Sequence, residues 1–476
     1  MIDQEIKKLK THGRKDNLSP FFEPKSVAIV GSLSQTWFGG QALLKNLHNF
    51  GYSGGIYLVN PSYEEVQDVK VYPSIKDIPE SIDLVIIITP ARTVLSIVKD
   101  CVKKGVKCVI IGADGFTERD EEGKRLQNEI TEIARHTRIR IIGPNTVGTV
   151  NTATGLVTAI YLIGYDKIKK GGIAFVAQTG IIGPQAMPYD DWRYGISKIC
   201  DLGNKCDVDE SDLLEYLADD PETKVIAMHL ECIKSGHRFL DVAKRAAQKK
   251  PILILKPGKT KESAKALMSH TGSLAGDQKI YESAFKQVGV IQVNSFKELL
   301  EIPTAFLCQP LPRGNRLGII TFTGGAGIMA MDIAAESGLT LAKLSTETNE
   351  KLSNIHPTLV GNPSDLGPLY AISGESPYKT VIEAMLNDEN VDCIFCVIVG
   401  GFLSANLYIQ TLNDIEKPKD KPMTFWVYGP SSESNDQVCF ELRNNGYPVY
   451  LDIETAVKAL GAMYRYKTIK NWRRTI

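Results

Sequence analysis

The sequence lacks a charge excess and a long apolar run, and each absence argues against a class of protein. Its 476 residues carry 55 Lys and Arg against 55 Asp and Glu, so the formal net charge is zero. General nucleic-acid binding requires an excess of positive charge, and this balance argues against it. Because no run of about 18 apolar residues occurs, no membrane-spanning helix is expected.

Cysteine usage also lacks a paired pattern, which is typical of a reducing compartment. The nine cysteines are scattered and odd in number, and we expect a cytoplasmic protein. Cys393 and Cys396 have the spacing of a metal or redox pair, but the surrounding run 391–399 is apolar and favours a buried strand. The N-terminal residues 1–17 mix charges without an apolar core, so no signal peptide is expected.

The sequence does contain a regular alternation of short apolar runs and amphipathic stretches, which is typical of parallel-sheet α/β domains. Three of the apolar runs lead directly into a glycine turn: 26–30, 173–177 and 317–322. The turn glycines Gly31, Gly180 and Gly324 are 149 and 144 positions apart, which predicts three α/β domains of similar length. No turn matches GxGxxG with an acidic residue about 20 positions on, so a nicotinamide site is not predicted.

Further apolar runs in the first third of the chain end in small, turn-forming or polar residues. Examples are the ends at Asn60-Pro61, Thr89-Pro90-Ala91 and Gly143-Pro144-Asn145. In parallel α/β folds, ligands bind at the carboxyl ends of the strands, and helix N-termini there favour anions. An ordinary turn explains any one of these ends, whereas the series favours a ligand-binding edge.

The octet Ser269 to Gly276 places His270 among small and hydroxylated residues. The pKa of an imidazole lies near neutrality, so His270 can offer a lone pair as a nucleophile. Glu231 ends the strand-like run 225–231 and could hold the far ring nitrogen of a histidine. On these residues alone, a polar surface role for His270 and a solvated position for Glu231 remain open.

Four acidic residues crowd the segment from Asp207 to Asp212. Their spacing matches no known cation-binding loop. Acidic side chains are favoured at the start of a helix by its dipole. We therefore expect a solvated helix start at this segment and predict no metal site.

Five segments taken together resemble the α subunit of the ADP-forming (NDP-forming) acetyl-CoA synthetases, in the superfamily that includes succinyl-CoA synthetase. They are Phe22 to Ala28, Gly143-Pro144-Asn145, Leu202 to Leu214, Lys256 to Lys259 and the octet around His270. The resemblance covers the chain from about residue 20 to its C-terminus.

The resemblance implies an α/β fold of three consecutive domains. A Rossmann-like CoA-binding domain would occupy 1–152. A flavodoxin-like domain carrying a phosphohistidine would occupy 153–308, and a third domain, also flavodoxin-like (succinyl-CoA synthetase-like), would occupy 309–476.

The same resemblance implies roles for individual residues. His270 would be the histidine that is phosphorylated, and Glu231 would pair with it. Phosphate would be bound by four residues: Thr179, Gly180, Thr271 and Gly272. CoA would be bound by seven residues of the first domain: Gly31, Ser32, Asn60, Thr89, Pro90, Ala91 and Gly115. No metal ligand is implied on this chain.

The implied activity is that of an ADP-forming acyl-CoA synthetase, an acid–thiol ligase. It converts acyl-CoA, phosphate and ADP to carboxylate, CoA and ATP through an acyl phosphate and a phosphohistidine. Three domains leave no ATP-grasp region, so the resemblance implies a separate ATP-grasp β subunit that binds ADP or ATP with Mg²⁺, in an α2β2 heterotetramer. The alternative is a non-catalytic CoA-binding regulatory protein with the same fold, and retention of both His270 and Glu231 counts against it.

Overall fold

The structure, a computed structural model, forms two units, Met1–Val293 and Asn294–Ile476. It describes residues 18–34, 37–187, 189, 195–263, 265–266, 278–369, 376–401, 405–416 and 420–472. Two sheets belong to the first unit and one to the second. The predicted α/β class with three sheet-based domains is confirmed.

The first sheet has the Rossmann-like strand order. Its strands are β1 (Ser26–Gly31), β2 (Gly55–Val59), β3 (Glu65–Val66), β4 (Val69–Tyr72), β5 (Leu84–Ile88), β6 (Cys108–Ile111) and β7 (Arg140–Ile142). Its helices are α1 (Gly40–Asn49), α2 (Ala91–Lys104) and α3 (Glu121–His136). The order is β3-β4-β2-β1-β5-β6-β7, parallel except for the short β3. Strands β2, β1, β5 and β6 are therefore consecutive neighbours, with their carboxyl ends at one edge.

The second sheet has a flavodoxin-like centre. Its strands are β8 (Thr149–Asn151), β9 (Leu156–Val157), β10 (Lys170–Ala177), β11 (Ile196–Asp201), β12 (Val225–His229), β13 (Ile252–Leu255) and β14 (Ile291–Val293). Its helices are α4 (Glu210–Asp219), α5 (Gly236–Lys249) and α6 (Gln278–Val288). The order is β14-β13-β12-β10-β11-β8-β9, in which only β8 and β9 are antiparallel to their neighbours. The five parallel strands follow the 2-1-3-4-5 order of flavodoxin-like folds.

The second unit repeats this parallel order as β16-β15-β18-β19-β20, with β17 beside β15. Its strands are β15 (Arg316–Thr321), β16 (Thr340–Leu341), β17 (Ser364–Asp365), β18 (Cys393–Val399), β19 (Met423–Tyr428) and β20 (Val449–Tyr450). Its helices are α7 (Phe296–Glu301), α8 (Pro303–Cys308), α9 (Gly324–Glu336), α10 (Thr346–Ser353), α11 (Ser376–Asn387), α12 (Ala405–Asn413), α13 (Ser432–Asn444) and α14 (Ile453–Trp472). Cys393 and Cys396 are buried in β18, as the apolar run predicted.

Central strands form where the sequence is continuously apolar, because helices cover both faces of a parallel sheet. All residues of β1, β12 and β13 are buried. None of the helices that the structure describes is long and apolar enough to cross a bilayer. The predicted domain boundaries after residues 152 and 308 stay predictions. Strands β8 and β9 lie on either side of the first boundary and share the second sheet.

A buried charge network links the first sheet to the second within the first unit. Arg140 of β7 donates from Nε to Asp207 at 2.8 Å and from Nη2 to Asp212 at 3.0 Å. Arg238 of α5 donates to Asp209 at 3.0 Å and also to Asp212. The helix start predicted here is present, since α4 begins at Glu210 with Asp209 as its N-cap.

The expectation that this acidic segment is solvated is wrong. Asp209, Glu210 and Asp212 are buried because cationic side chains reach them, Arg140 and Arg238 from distant parts of the chain and Lys205 from the preceding turn. Burial would raise the pKa of Asp212, but Arg140 and Arg238 hold that pKa below its ordinary value.

We predict that Arg140→Met destabilises the protein by about 3–5 kcal/mol, because it leaves two enclosed carboxylates without one of their cations. Urea unfolding at neutral pH measures the change. The matched control is Arg125→Met, since Arg125 pairs with Glu122 and Glu129 on the exposed surface of α3. An exposed pair contributes little, so the control should unfold at the wild-type midpoint. Equal midpoints for both variants would contradict a stabilising role of the network.

Candidate functional site

The seven residues predicted to bind CoA lie at one edge of the first sheet. Gly31 ends β1, and Ser32 follows it. Asn60 follows β2, and Gly115 lies four positions beyond the end of β6. The segment Thr89-Pro90-Ala91 follows β5 and opens α2. Because β2, β1, β5 and β6 are neighbours, the structure brings these residues to one edge of the sheet.

The backbone at Gly31 requires glycine. Its φ is +146°, and a Cβ there would lie 2.5 Å from the carbonyl oxygen of Ile88. The side chain of Asn60 fixes the same turn, because its Nδ2 donates to the Gly31 carbonyl at 2.8 Å. Its Oδ1 accepts from the N–H of Ser62 at 2.8 Å. Asn60 thus ties the end of β2 to the end of β1.

Two helix N-termini point at this edge without a side-chain cap. The N-cap residues are Gly39 for α1 and Pro90 for α2, and neither makes a capping hydrogen bond through its side chain. The first N–H groups of a helix favour an anion. Phosphate groups of a nucleotide-like ligand fit this arrangement.

Gly115 lies at the other end of this row of residues, after β6. Its φ is +93°, and a Cβ there would be 3.4 Å from the Cβ of Ala91. Its N–H donates to Glu118 at 2.7 Å, and Asn204 donates to the same carboxylate at 2.5 Å. Burial would raise the pKa of Glu118, but these hydrogen bonds hold it below its ordinary value. Glu118 thereby links the Gly115 turn to the Asn204 turn of the second sheet.

The second predicted site lies at the carboxyl ends of two adjacent strands. Thr179 and Gly180 follow β10, and Glu231 lies two positions beyond β12. Thr179 caps a short 3₁₀ turn, Gly180–Ile182. Since β10 and β12 pair in parallel, the predicted phosphate turn and the predicted carboxylate are brought to the same edge. His270, Thr271 and Gly272 lie outside the described residues, so the predicted pairing of His270 with Glu231 stays a prediction.

Glu231 is buried, with 9% of its surface exposed. Lys256, which follows β13, is also buried. Burial lowers the pKa of Lys256, and the nearby Cys232 and Glu231 only partly oppose this decrease. The ammonium group of Lys256 donates to the Pro257 carbonyl at 2.9 Å and lies 4.8 Å from the ring centre of Tyr281. A cation therefore accompanies the carboxylate at this edge.

His229 is enclosed, which makes it a poor candidate for the predicted nucleophile. It is buried inside β12. Burial and the nearby charge of Lys256 lower its pKa to about 4. His229 is therefore neutral and enclosed at neutral pH.

Asp201 is a buried carboxyl group at this edge to which the sequence analysis assigned no role. It ends β11, accepts from the N–H of Val147 at 2.8 Å, and lines a small cavity with Thr179 and Gly180. Burial raises its pKa to about 6 in spite of these hydrogen bonds, and the charge of Glu231 adds to the increase.

Gln178, Lys205 and Lys256 are also near Glu231, and the sequence analysis gave them no role. Gln178 and Lys256 each directly follow a parallel strand of the second sheet, so strand-end position was the available signal. Among the described residues there is no group of three or more His, Cys, Asp or Glu able to hold a metal ion.

Comparison with known families matches most of the first unit. A family described as a CoA binding domain matches residues 25–152. A family described as a succinyl-CoA ligase like flavodoxin domain matches residues 170–306. These matches agree with the Rossmann-like first sheet and the flavodoxin-like second sheet.

Relatives extend the similarity to almost the whole chain. The α subunit of acetate–CoA ligase [ADP-forming] II from Pyrococcus furiosus is 40% identical, over 94% of this chain and 97% of that subunit. Acetate–CoA ligase [ADP-forming] II from Archaeoglobus fulgidus is 38% identical over 94% of this chain, which spans 67% of that protein.

A solved structure agrees with the same assignment. The dinucleotide-forming acetyl-coenzyme A synthetase 1 of Ca. Korarchaeum cryptofilum, in complex with phosphate and ADP, superposes with a TM-score of 0.86 at 30% identity. The alignment covers 96% of this chain and 98% of that one. The chain therefore belongs to the family of ADP-forming acetate–CoA ligase α subunits.

Proposed function

We propose that this chain is the catalytic α subunit of an ADP-forming acyl-CoA ligase that works with a separate ATP-grasp β subunit. The observation that carries the proposal is the meeting of the Thr179–Gly180 turn and Glu231 at the ends of neighbouring strands. Family membership and the phosphate and ADP complex of the Korarchaeum relative support it. The reaction is reversible: acyl-CoA, phosphate and ADP give carboxylate, CoA and ATP.

CoA is proposed to bind along the first-sheet edge, with its phosphate groups at the N-termini of α1 and α2. Gly31 lacks a side chain, so a ligand backbone or phosphate can approach the turn closely. Ser32, Thr89 and the peptide groups of Pro90, Ala91 and Gly115 complete the proposed CoA contacts. The thioester then points toward the second sheet, where an oxygen of phosphate attacks the carbonyl carbon. The C–S bond breaks, CoA leaves, and an acyl phosphate forms.

The phosphoryl group is proposed to move next to His270. A neutral imidazole nitrogen attacks the phosphorus, and the bond from phosphorus to the carboxylate oxygen breaks. The ring gains positive charge as its nitrogen gives up a lone pair, and the Glu231 carboxylate stabilises that charge at the other ring nitrogen. Peptide N–H groups and hydroxyls of Thr179, Gly180, Thr271 and Gly272 are proposed to hold the phosphoryl oxygens.

The nucleotide half of the reaction is assigned to a partner. The name of the Pyrococcus relative contains "subunit alpha", which supports a β subunit for this chain as well. We propose that the β subunit has an ATP-grasp fold, binds ADP with Mg²⁺, and forms an α2β2 heterotetramer with this chain. A cytoplasmic location follows from the substrates of such an enzyme.

We predict that His270→Ala and His270→Asn abolish phosphorylation of the chain from acyl-CoA and labelled phosphate. Glu231→Gln should slow labelling by about 10²–10⁴-fold, because one charge-stabilising partner is lost in the transition state. Labelling is measured by rapid quench, and the label should survive base and be lost in acid, as expected of a phosphohistidine.

The matched control is His237→Ala, since His237 lies on the exposed start of α5. It should label at the wild-type rate. Acid-labile label that persists in His270→Ala would refute the assignment. A complete absence of label in the wild type would instead favour the non-catalytic CoA-binding protein.

We predict that the chain binds CoA and not NAD in calorimetry. Asn60→Ala should weaken CoA binding by about tenfold, because the loss of the partly buried hydrogen bond to the Gly31 carbonyl releases that turn. Asn128→Ala, an exposed substitution on α3, is the control and should bind as the wild type does. Tight NAD binding without a CoA signal would overturn the CoA proposal.

We predict that the purified chain forms no ATP from acyl-CoA, phosphate and ADP until a β subunit is added. The physical reason is that its three sheets are already assigned without a nucleotide-binding ATP-grasp region. A coupled ATP assay with and without the co-expressed β subunit measures this. Full turnover by the isolated chain would contradict it, while His270 labelling without turnover is expected.

A further inference from the structure

The main chain of Cys232, the residue after Glu231, is held at its N–H and at its carbonyl by two buried side chains. The N–H of Cys232 donates to Oε1 of Gln178 at 2.9 Å. The carbonyl of Cys232 accepts from Nζ of Lys205 at 2.8 Å. Gln178 and Lys205 are 9% and 4% exposed, so water has little access to replace these two hydrogen bonds. Both hydrogen bonds act on the residue next to the carboxylate proposed to support His270.

The rest of the segment 230–234 is fixed in the same way. The N–H of Leu230 donates to the carbonyl of Leu255 at 3.1 Å, which extends the pairing of β12 with β13. The N–H of Lys234 donates to Oε1 of Glu210 at 2.7 Å. Glu231 is thus carried by a short segment that is anchored before and after it, and its backbone has little freedom to turn the carboxylate away.

Lys205 is itself held in an uncommon conformation. Its φ is +55°, a left-handed value that a non-glycine residue rarely adopts. Its ammonium group also donates to Oε2 of the fully buried Glu210 at 2.8 Å, and its carbonyl accepts from Nζ of Lys234 at 2.8 Å. These contacts hold Lys205 in place in spite of its uncommon backbone conformation. Lys205 therefore reaches both the Glu210 carboxylate and the Cys232 carbonyl beside Glu231.

Gln178 connects Glu231 to the other half of the proposed site. It directly precedes Thr179 and Gly180, and its own N–H donates to the carbonyl of His229 at 3.2 Å. Gln178 therefore links the end of β10, which carries the proposed phosphate turn, to the end of β12 through both its main chain and its side chain. A shift of either strand end would be passed to the other through this contact.

We infer that Gln178 and Lys205 are positioning residues for phosphoryl transfer, which hold Glu231 at a fixed place relative to the Thr179–Gly180 turn. The inference rests on the proposed role of Glu231 in supporting the phosphohistidine. Neither residue needs to touch the substrate, because Gln178 acts through the N–H of Cys232 and Lys205 acts through its carbonyl. Misplacement of a catalytic group by about 1 Å is enough to slow a reaction by about 10²-fold.

The test is a double-mutant cycle between Gln178→Met and Glu231→Gln in the full chain. Methionine is close to glutamine in length and volume, but it has no amide oxygen to accept the hydrogen bond from the N–H of Cys232. Gln178→Met should slow labelling of His270 from acyl-CoA and phosphate by about 10–10²-fold, with the Kd for CoA unchanged. In the Glu231→Gln background, the same substitution should slow labelling by less than about threefold, because residues acting as a unit are not additive.

The matched control is Gln292→Met, the same substitution on β14 at the far edge of the same sheet. It should label at the wild-type rate in both backgrounds. If Gln178→Met fails to bind CoA, the cycle is run with Gln178→Ser, whose hydroxyl is too short to reach Cys232.

Three results would overturn the inference, and they separate it from the proposed function. A Gln178 variant that labels at the wild-type rate, or losses that multiply in the double variant, would refute the positioning role alone. An unchanged labelling rate in Glu231→Gln would refute the role of Glu231, and the positioning role would fail with it.

Discussion

The burial of carboxylates at one edge of the second sheet is the constraint on which the rest of the first unit depends. Five such groups are at least nine-tenths enclosed by protein: Asp201, Asp209, Glu210, Asp212 and Glu231. An ionised carboxylate that leaves water is costly unless cations or N–H donors replace its hydration. Arg140 from the first sheet, Arg238 from α5 and Lys205 from the turn before α4 supply the cations. The contacts of Arg140 also join the first sheet to the second sheet.

Four of the five carboxylates divide into two groups by the partners they have. Asp209, Glu210 and Asp212 bond directly to cationic side chains, so their burial fixes the structure. Asp201 accepts from peptide N–H groups, and burial raises its pKa to about 6. A group of that kind beside Thr179 and Gly180 can change its protonation near neutral pH. The edge thus combines three carboxylates that are fixed by cationic side chains with one carboxyl group whose protonation can change.

Local sequence signals predicted the fold well because each depends on a few neighbouring residues. The predicted turn glycines lie at strand ends, since Gly31 ends β1 and Gly180 comes three positions after β10, and the apolar run around Cys393 formed a buried strand. The acidic segment was mispredicted as solvated, because Arg140 lies 67 positions from Asp207 and only the fold brings them together. Gln178 and Lys205 were missed for the same reason. Their role is defined by contacts with Cys232. The position of Gln178 at a strand end was a signal, but it does not identify the partner that the side chain binds.

Strand order also explains how opposite charges can share one site. The phosphoryl group that His270 is proposed to carry needs donors for its oxygens, whereas the imidazolium ring needs an acceptor. Strand β10 ends in the Thr179–Gly180 turn, and its neighbour β12 leads to the Glu231 carboxylate. Adjacent strands lie about 4.8 Å apart, so the turn and the segment that carries the carboxylate leave the sheet at neighbouring positions. If β12 and β10 were not neighbours, the turn and the carboxylate would be at least one further strand apart.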